Sequence, residues 1–142
     1  MPIYHCVTSR ALSPQTKAAI AEEFTRIHVE STGAPEPFVN VVFSDLPLGS
    51  HYLGGRVREN GTLINAIVRA GRTLETRQGL LKSLSAAWSR LAGQPERNLV
   101  IRIEEADAAT IMEAGRIMPR PGEEAAWMEA NKAILGDMQT AA

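Results

Sequence analysis

The chain opens Met1-Pro2-Ile3, and Pro2 is the first residue with chemical potential. Removal of Met1 would leave Pro2 a free secondary amine. In an apolar pocket, desolvation would bring that amine down from about 8 toward a value useful for a base at neutral pH. The alternative is a Met-Pro start with no catalytic meaning. Arg69 closes a strand-like run, and Arg72 sits in the turn that follows, beside a helix start. Strand ends next to helix N-termini are where open α/β sheets bind anions. Two guanidinium groups at this spacing can hold one carboxylate from two directions, or they can be a solvated turn paired with Glu75. His28, one helical turn after Phe24, can donate to a substrate or be satisfied by backbone or water. Glu113, just before Ala114-Gly115-Arg116, can orient a water molecule or be an ordinary surface carboxylate. Arg102 interrupts an apolar strand on the face opposite Ile101 and Ile103. An arginine there needs a wet pocket or a carboxylate, and Glu104 is the nearest candidate.

These residues need elements to position them. Ile3 to Thr8 reads as a β-branched strand. Ser13-Pro14 gives an N-cap followed by proline in the first turn, and Ile20, Phe24 and Ile27 recur at helical spacing until Gly33. Phe38 to Phe43 reads as a second strand, Asp45 to Gly49 as a turn, and Tyr52 to Arg56 as a short edge element. The order then recurs. Thr62 to Arg69 is a strand and Thr73 an N-cap. Leu74, Leu81, Leu84, Trp88 and Leu91 form a helical stripe closed by Gly93 and Pro95. Leu99 to Ile103 is a fourth strand, Asp107 to Ala114 a turn or short helix, and Glu123 to Leu135 a helix anchored by Trp127.

The halves superimpose at an offset of about sixty residues. Ile3 falls on Ile64, and Leu53-Gly54-Gly55-Arg56 falls on Glu113-Ala114-Gly115-Arg116. The reading is one domain over residues 1–142, with pseudo-repeats at about 2–58 and 62–118 and a tail over 119–142. Two β-α-β units give an α+β or α/β fold. They form one four-stranded, mostly parallel-paired sheet with two helices on one face. The other face must be covered too, most simply by neighbouring subunits.

Composition bounds the rest. One hundred forty-two residues supply one core, and a net charge of −1 lacks the basic footprint of a nucleic-acid binder. No apolar run approaches a membrane span and no export signal is visible, so the expected compartment is the cytoplasm. The single cysteine, Cys6, excludes an internal disulfide framework. His5, His28 and His51 form no pair at metal-ligand spacing, so no protein-built metal site is expected.

Pro2, the doubled β-α-β units, His28, Arg69-x-x-Arg72 and Glu113 together resemble the tautomerase superfamily, and most closely its cis-3-chloroacrylic acid dehalogenase subgroup. The most specific piece is Gly115-Arg116-Ile117-Met118-Pro119-Arg120-Pro121-Gly122-Glu123-Glu124-Ala125-Ala126-Trp127. It resembles the G-R-apolar-apolar-P-x-P-G-x-E-x-x-W segment of those enzymes. Ala66-Ile67-Val68-Arg69-Ala70-Gly71-Arg72 resembles their arginine-bearing strand end. The resemblance implies a β-α-β fold of the tautomerase type, a homotrimer, and no cofactor. It implies Pro2 as the catalytic acid or base, His28, Arg69 and Arg72 as substrate-carboxylate ligands, and Glu113 as a water activator. Two positions depart from the dehalogenase: Arg102 stands where it has a tyrosine, and Ala34 where it has a threonine. Arg102 would either pair with Glu113 or give a dicarboxylate a third cationic contact.

Three readings follow. The first is a cofactor-independent tautomerase acting on enol or 2-oxo carboxylic acids with Pro2 as base. The second is a hydratase or hydrolytic dehalogenase of three-carbon unsaturated acids, with a cationic Pro2 and Glu113 activating water. The third is a non-catalytic trimeric binding protein. The expected partners are a small carboxylic acid and further copies of the chain, with neither nucleic acid nor membrane.

Overall fold

The computed structural model describes residues 1–140. Strand β1 (Ile3–Thr8) leads to helix α1 (Pro14–Thr32), then to β2 (Asn40–Asp45) and the hairpin β3 (Tyr52–Leu53) and β4 (Arg56–Val57). The same order repeats as β5 (Thr62–Arg69), α2 (Leu74–Ala92), β6 (Leu99–Ala106) and the hairpin β7 (Met112–Glu113) and β8 (Arg116–Ile117). Helices α3 (Glu124–Ala130) and α4 (Lys132–Thr140) end the described chain.

Each helix starts where its cap dictates. Ser13 accepts a hydrogen bond from the Thr16 amide and Thr73 one from the Thr76 amide, each satisfying a donor that the first helical turn leaves free. Gly33 and Gly93 end the helices in the left-handed conformation. The strands run in the order β2-β1-β5-β6. Pairing is parallel within each unit and antiparallel between β1 and β5, where Tyr4 faces Ala66 and Cys6 faces Ile64. The sheet is therefore mixed, with two parallel pairs joined across an antiparallel seam.

Strand alternation sends Tyr4, Cys6, Ile64, Ala66 and Val68 toward the helices, where they join Ile20, Phe24, Leu84 and Trp88 in one core cluster. Burying each large side chain here contributes about 1.5–3 kcal/mol. The opposite sheet face is open: Val42 and Val100 are exposed on it.

Several boundaries differ from the sequence reading. Phe38 does not begin a strand; it closes a 3-10 turn over Glu36–Phe38, and β2 starts at Asn40 and includes Asp45. Pro37 fixes the backbone there and turns the Phe38 ring into a second cluster with Ala108, Ile111 and Met118. Leu74 is exposed, and Leu80 rather than Leu81 is buried on α2. Strand β6 runs on to Ala106, and the segment read as one helix over 123–135 divides at Asn131.

Candidate active site

A cavity lies where the ends of β1 and β5 meet α1, α2 and the C-terminal tail. His28 from α1, Arg69 from the end of β5, Arg72 from the next turn and Met1 all line it. Phe38, Met118 and Trp127 supply apolar wall. The Phe38 and Trp127 rings meet edge to face with centroids 5.5 Å apart, and Trp127 Nε1 donates to the Ile117 carbonyl.

Met1 is the partition between this cavity and a neighbouring recess that also contains Glu113. Its ammonium group is ion-paired with the Glu113 carboxylate. Burial pushes this amine below its ordinary value, Arg69 adds to the lowering, and Glu113 opposes it. Pro2 is fully buried, and its carbonyl accepts from the Asn40 amide at 3.0 Å. The Pro2 nitrogen is thus held by a buried ring on one side and a pinned carbonyl on the other.

His28 is almost fully buried, not at the edge of the apolar face. Its Nδ1 lies 2.6 Å from the phenol oxygen of Tyr4, itself fully buried. Burial pushes the Tyr4 phenol far above its ordinary value, so it keeps its proton. A phenol proton in a dry core needs an acceptor, and Nδ1 is the one beside it. The imidazole is therefore the neutral Nε2–H tautomer, with Nε2–H left for the cavity. Burial, with Arg72 next in weight, brings the His28 pKa down to about 4, which keeps the ring neutral at pH 7.

The two arginines are not equivalent. Arg69 donates to the Pro119 carbonyl at 2.9 Å and to the Glu124 carboxylate at 2.7 Å. Arg72 has no hydrogen-bond or ion-pair partner among the described residues, and Glu75 does not pair with it. Half-burial and the like charge of Arg69 lower its pKa, and the Glu124 carboxylate opposes them. Arg72 is a cation held ready for an anion.

Arg102 stands apart from this group. It is exposed on the open sheet face, where its guanidinium bonds Glu104 at 2.9 Å and Asn65 at 3.3 Å. Ala34 lines the cavity at its mouth beside Pro35. Two residues at the site were not singled out from the sequence for these roles. Tyr4 has no local signal, because its partner His28 is brought to it only by packing of α1 on the sheet. Glu124 lies inside the Pro-x-Pro-Gly-x-Glu segment, and that segment was the available signal.

The second unit closes its corresponding end. Trp88 occupies in α2 the position that His28 occupies in α1. Its indole donates to Gln94 at 2.7 Å, Gln94 also accepts from Thr62, and Thr62 bonds Thr8. That buried polar network fills the space that stays open in the first unit.

Among the described residues, no cluster of His, Cys, Asp and Glu is arranged to hold a metal ion, and no helix is long and apolar enough to cross a membrane. A family model described as "Putative oxalocrotonate tautomerase enzyme" matches residues 1–132. A probable tautomerase of Lactococcus lactis subsp. lactis (strain IL1403) is 36% identical over 59 residues, 97% of that protein but 42% of this chain. A near-complete relative matching less than half of this chain is what a doubled unit produces. Among solved structures, N1, a member of the cis-3-chloroacrylic acid dehalogenase family, superimposes with a TM-score of 0.90. It is 26% identical and covers 97% of this chain and 99% of its own. Pt0534, solved after inactivation by 2-oxo-3-pentynoate, gives a TM-score of 0.75 at 28% identity, covering 82% of this chain and 94% of its own. The chain belongs to the tautomerase superfamily, among the proteins that resemble cis-3-chloroacrylic acid dehalogenase.

Proposed function

We propose that the chain is a cofactor-independent tautomerase in which Pro2, freed by removal of Met1, is the general base. The observation that carries this reading is the buried chain start facing Arg72 and His28. Burial lowers the Met1 amine, and the same desolvation acting on a Pro2 amine once Met1 is removed would leave it neutral and therefore a base. In the proposed reaction the Pro2 nitrogen takes the enol hydroxyl proton of a 2-hydroxy-2-alkenoate. The electron pair of that O–H bond forms the carbonyl, and the carbon–carbon double bond collects the proton returned by Pro2. Arg72 holds the carboxylate, Arg69 stands beside it, and the neutral His28 Nε2–H donates to a substrate oxygen. Such charge-assisted contacts stabilise the enolate that develops between the two proton transfers.

Hydration of an unsaturated acid is the second reading, and the pairing of Glu113 with the Met1 ammonium supports it by placing a carboxylate beside the start of the chain. A carboxylate in contact with the amine raises its pKa, and a cationic Pro2 could then protonate carbon while Glu113 activates water. Neither reading draws on Arg102, which lies outside the cavity lining and bonds Glu104 and Asn65.

Substitutions separate the two. In a tautomerase, Pro2→Ala lowers ketonisation of phenylenolpyruvate by at least about tenfold, and Glu113→Gln changes it little. In a hydratase both substitutions abolish turnover. Ketonisation indifferent to Pro2→Ala would refute the tautomerase reading. The open sheet face supports self-association, because a sheet with parallel pairs is ordinarily covered on both sides, and the homotrimer is the assembly that the tautomerase resemblance implies. Light scattering on the purified chain tests that assembly.

A further inference from the structure

We propose that the cavity selects an acid with one carboxylate and an apolar body, and that Glu124 is the residue that rejects a second carboxylate. The turnover part of this rests on the tautomerase reading; the binding part does not.

Three arginines line the cavity: Arg69, Arg72 and Arg77. Arg69 is matched by Glu124 at 2.7 Å and Arg77 by Glu105 at 3.2 Å. Arg72 is the one without a hydrogen-bonded or ion-paired partner among the described residues; the carboxylate that acts on it, Glu124, is already bonded to Arg69. The site therefore offers one uncompensated cation, which fits one carboxylate. Glu124 is itself fixed as an anion. Bonds from its own amide and from the Gly122 amide, together with the Arg69 charge, hold its carboxyl below the ordinary carboxylate range. Its two oxygens are spoken for: Oε1 by Arg69 and Oε2 by the Gly122 amide at 2.7 Å.

A second carboxylate entering beside Arg69 would meet this fixed anion and would find the guanidinium already bonded to Glu124 and Pro119. Like charges brought together in a half-buried site are disfavoured. Much of the remaining wall is apolar, with Phe38, Leu80, Met118, Trp127 and Met128 among the lining. That wall suits a hydrocarbon or aromatic body and leaves a distal carboxylate unsolvated. Arg102, expected as a third cationic contact for a dicarboxylate, is bonded to Glu104 on the open sheet face.

The test uses a matched pair of ligands. Sorbate and trans,trans-muconate share one six-carbon diene and differ by a methyl group in place of a carboxylate. Titration calorimetry on the full chain, with its intact mass recorded, reads both affinities without turnover. Sorbate is expected to bind at least about tenfold more tightly than muconate. In Glu124→Gln that gap is expected to narrow by about tenfold, through tighter muconate binding. A merely structural role for Glu124 would weaken both ligands alike. Should the variant fail to fold, the wild-type gap measured against added salt carries the same information. An electrostatic gap shrinks as salt rises. Muconate binding as tightly as sorbate, or a gap unmoved by both Glu124→Gln and salt, would overturn the proposal. Sorbate preference without ketonisation of any enol acid would uphold it while removing the tautomerase reading.

Discussion

The Tyr4 phenol donates to His28 Nδ1 across 2.6 Å inside the core, and this single bond decides which nitrogen of the imidazole carries the proton. Tyr4 also meets the His28 ring edge to face, at 5.7 Å between centroids, so orientation and tautomer are fixed together. Tyr4→Phe keeps the ring contact and removes the donor. Nitrogen-15 spectra are expected to change from a single Nε2–H form to a tautomer mixture. KM for an enol acid should rise more than kcat falls, since positioning is what is lost. Leaving buried Nδ1 unpaired costs about 1–3 kcal/mol of stability, readable by urea unfolding. A spectrum and KM identical to wild type would mean Tyr4 does not position His28.

His28 also makes stability depend on pH in a defined window. Its pKa is brought down from 6.5 to about 4 in the fold, by burial first, then by Arg72, the amino terminus and Arg69. The unfolded chain therefore binds a proton that the folded chain refuses. Stability from this group is fully present above pH 6.5 and is lost as pH falls toward 4, by about 3 kcal/mol in all. The lowered carboxyls of Glu23 and Glu124 act from 4.5 downward and the lowered amino terminus from 8 downward, so both overlap this window. Urea unfolding at stepped pH should show a smaller loss between pH 6.5 and 4 in His28→Gln than in wild type, by the histidine's share. Equal slopes in the two proteins would contradict the assignment.

Arg72 and Arg69 should fail differently. Arg72→Ala removes the cation without a partner, so the carboxylate contact goes while the fold stays. A charged hydrogen bond is worth about 1.5–3 kcal/mol, which corresponds to roughly a ten- to hundredfold rise in KM. Arg69→Ala also frees Pro119 and Glu124, so it should lower the melting temperature as well. Steady-state kinetics beside thermal melts of both variants distinguish these outcomes.

Gly71 shows how the tail is seated on the site. Its φ is +111°, and a Cβ added there would lie 2.5 Å from Pro121 Cγ. Only glycine lets the Pro119-to-Glu124 segment lie against the turn between Arg69 and Arg72. Gly71→Ala is expected to cost about 1–3 kcal/mol and to raise KM, because displacing Pro121 pulls Glu124 from Arg69. Gly122 also has positive φ, but open space surrounds its added Cβ, so Gly122→Ala carries strain alone. A melt and KM unchanged in Gly71→Ala would contradict this seating.

What the sequence made legible was local. Ser13, Pro14 and Gly33 delimit α1 because caps act within one turn, and strand alternation placed Arg102 opposite Ile101 with Glu104 as its partner. The start of β2 is not legible because Phe38-Val39, next to the mostly apolar residues 40–43, looks the same as a strand or as a turn feeding a second cluster. Leu80 was misplaced by one residue because α2 carries apolar side chains at both 80 and 81, and only packing against the sheet chooses between them. The cationic residues Arg69 and Arg72 were visible, but their inequality was not. It arises from Glu124, far along the chain and brought back by the tail. Tyr4 and His28 meet for the same kind of reason.

The most direct measurement is the pH dependence of kcat/KM for phenylenolpyruvate ketonisation, on protein whose intact mass establishes that Met1 is absent. With Pro2 as a buried base, kcat/KM should rise with pH to a plateau through one inflection below 8, and Pro2→Ala should lose most of that rate. A rate that falls as pH rises through that range would make Pro2 an acid and favour hydration chemistry. A rate with no pH dependence, or one equal in Pro2→Ala, would contradict the proline as the catalytic group.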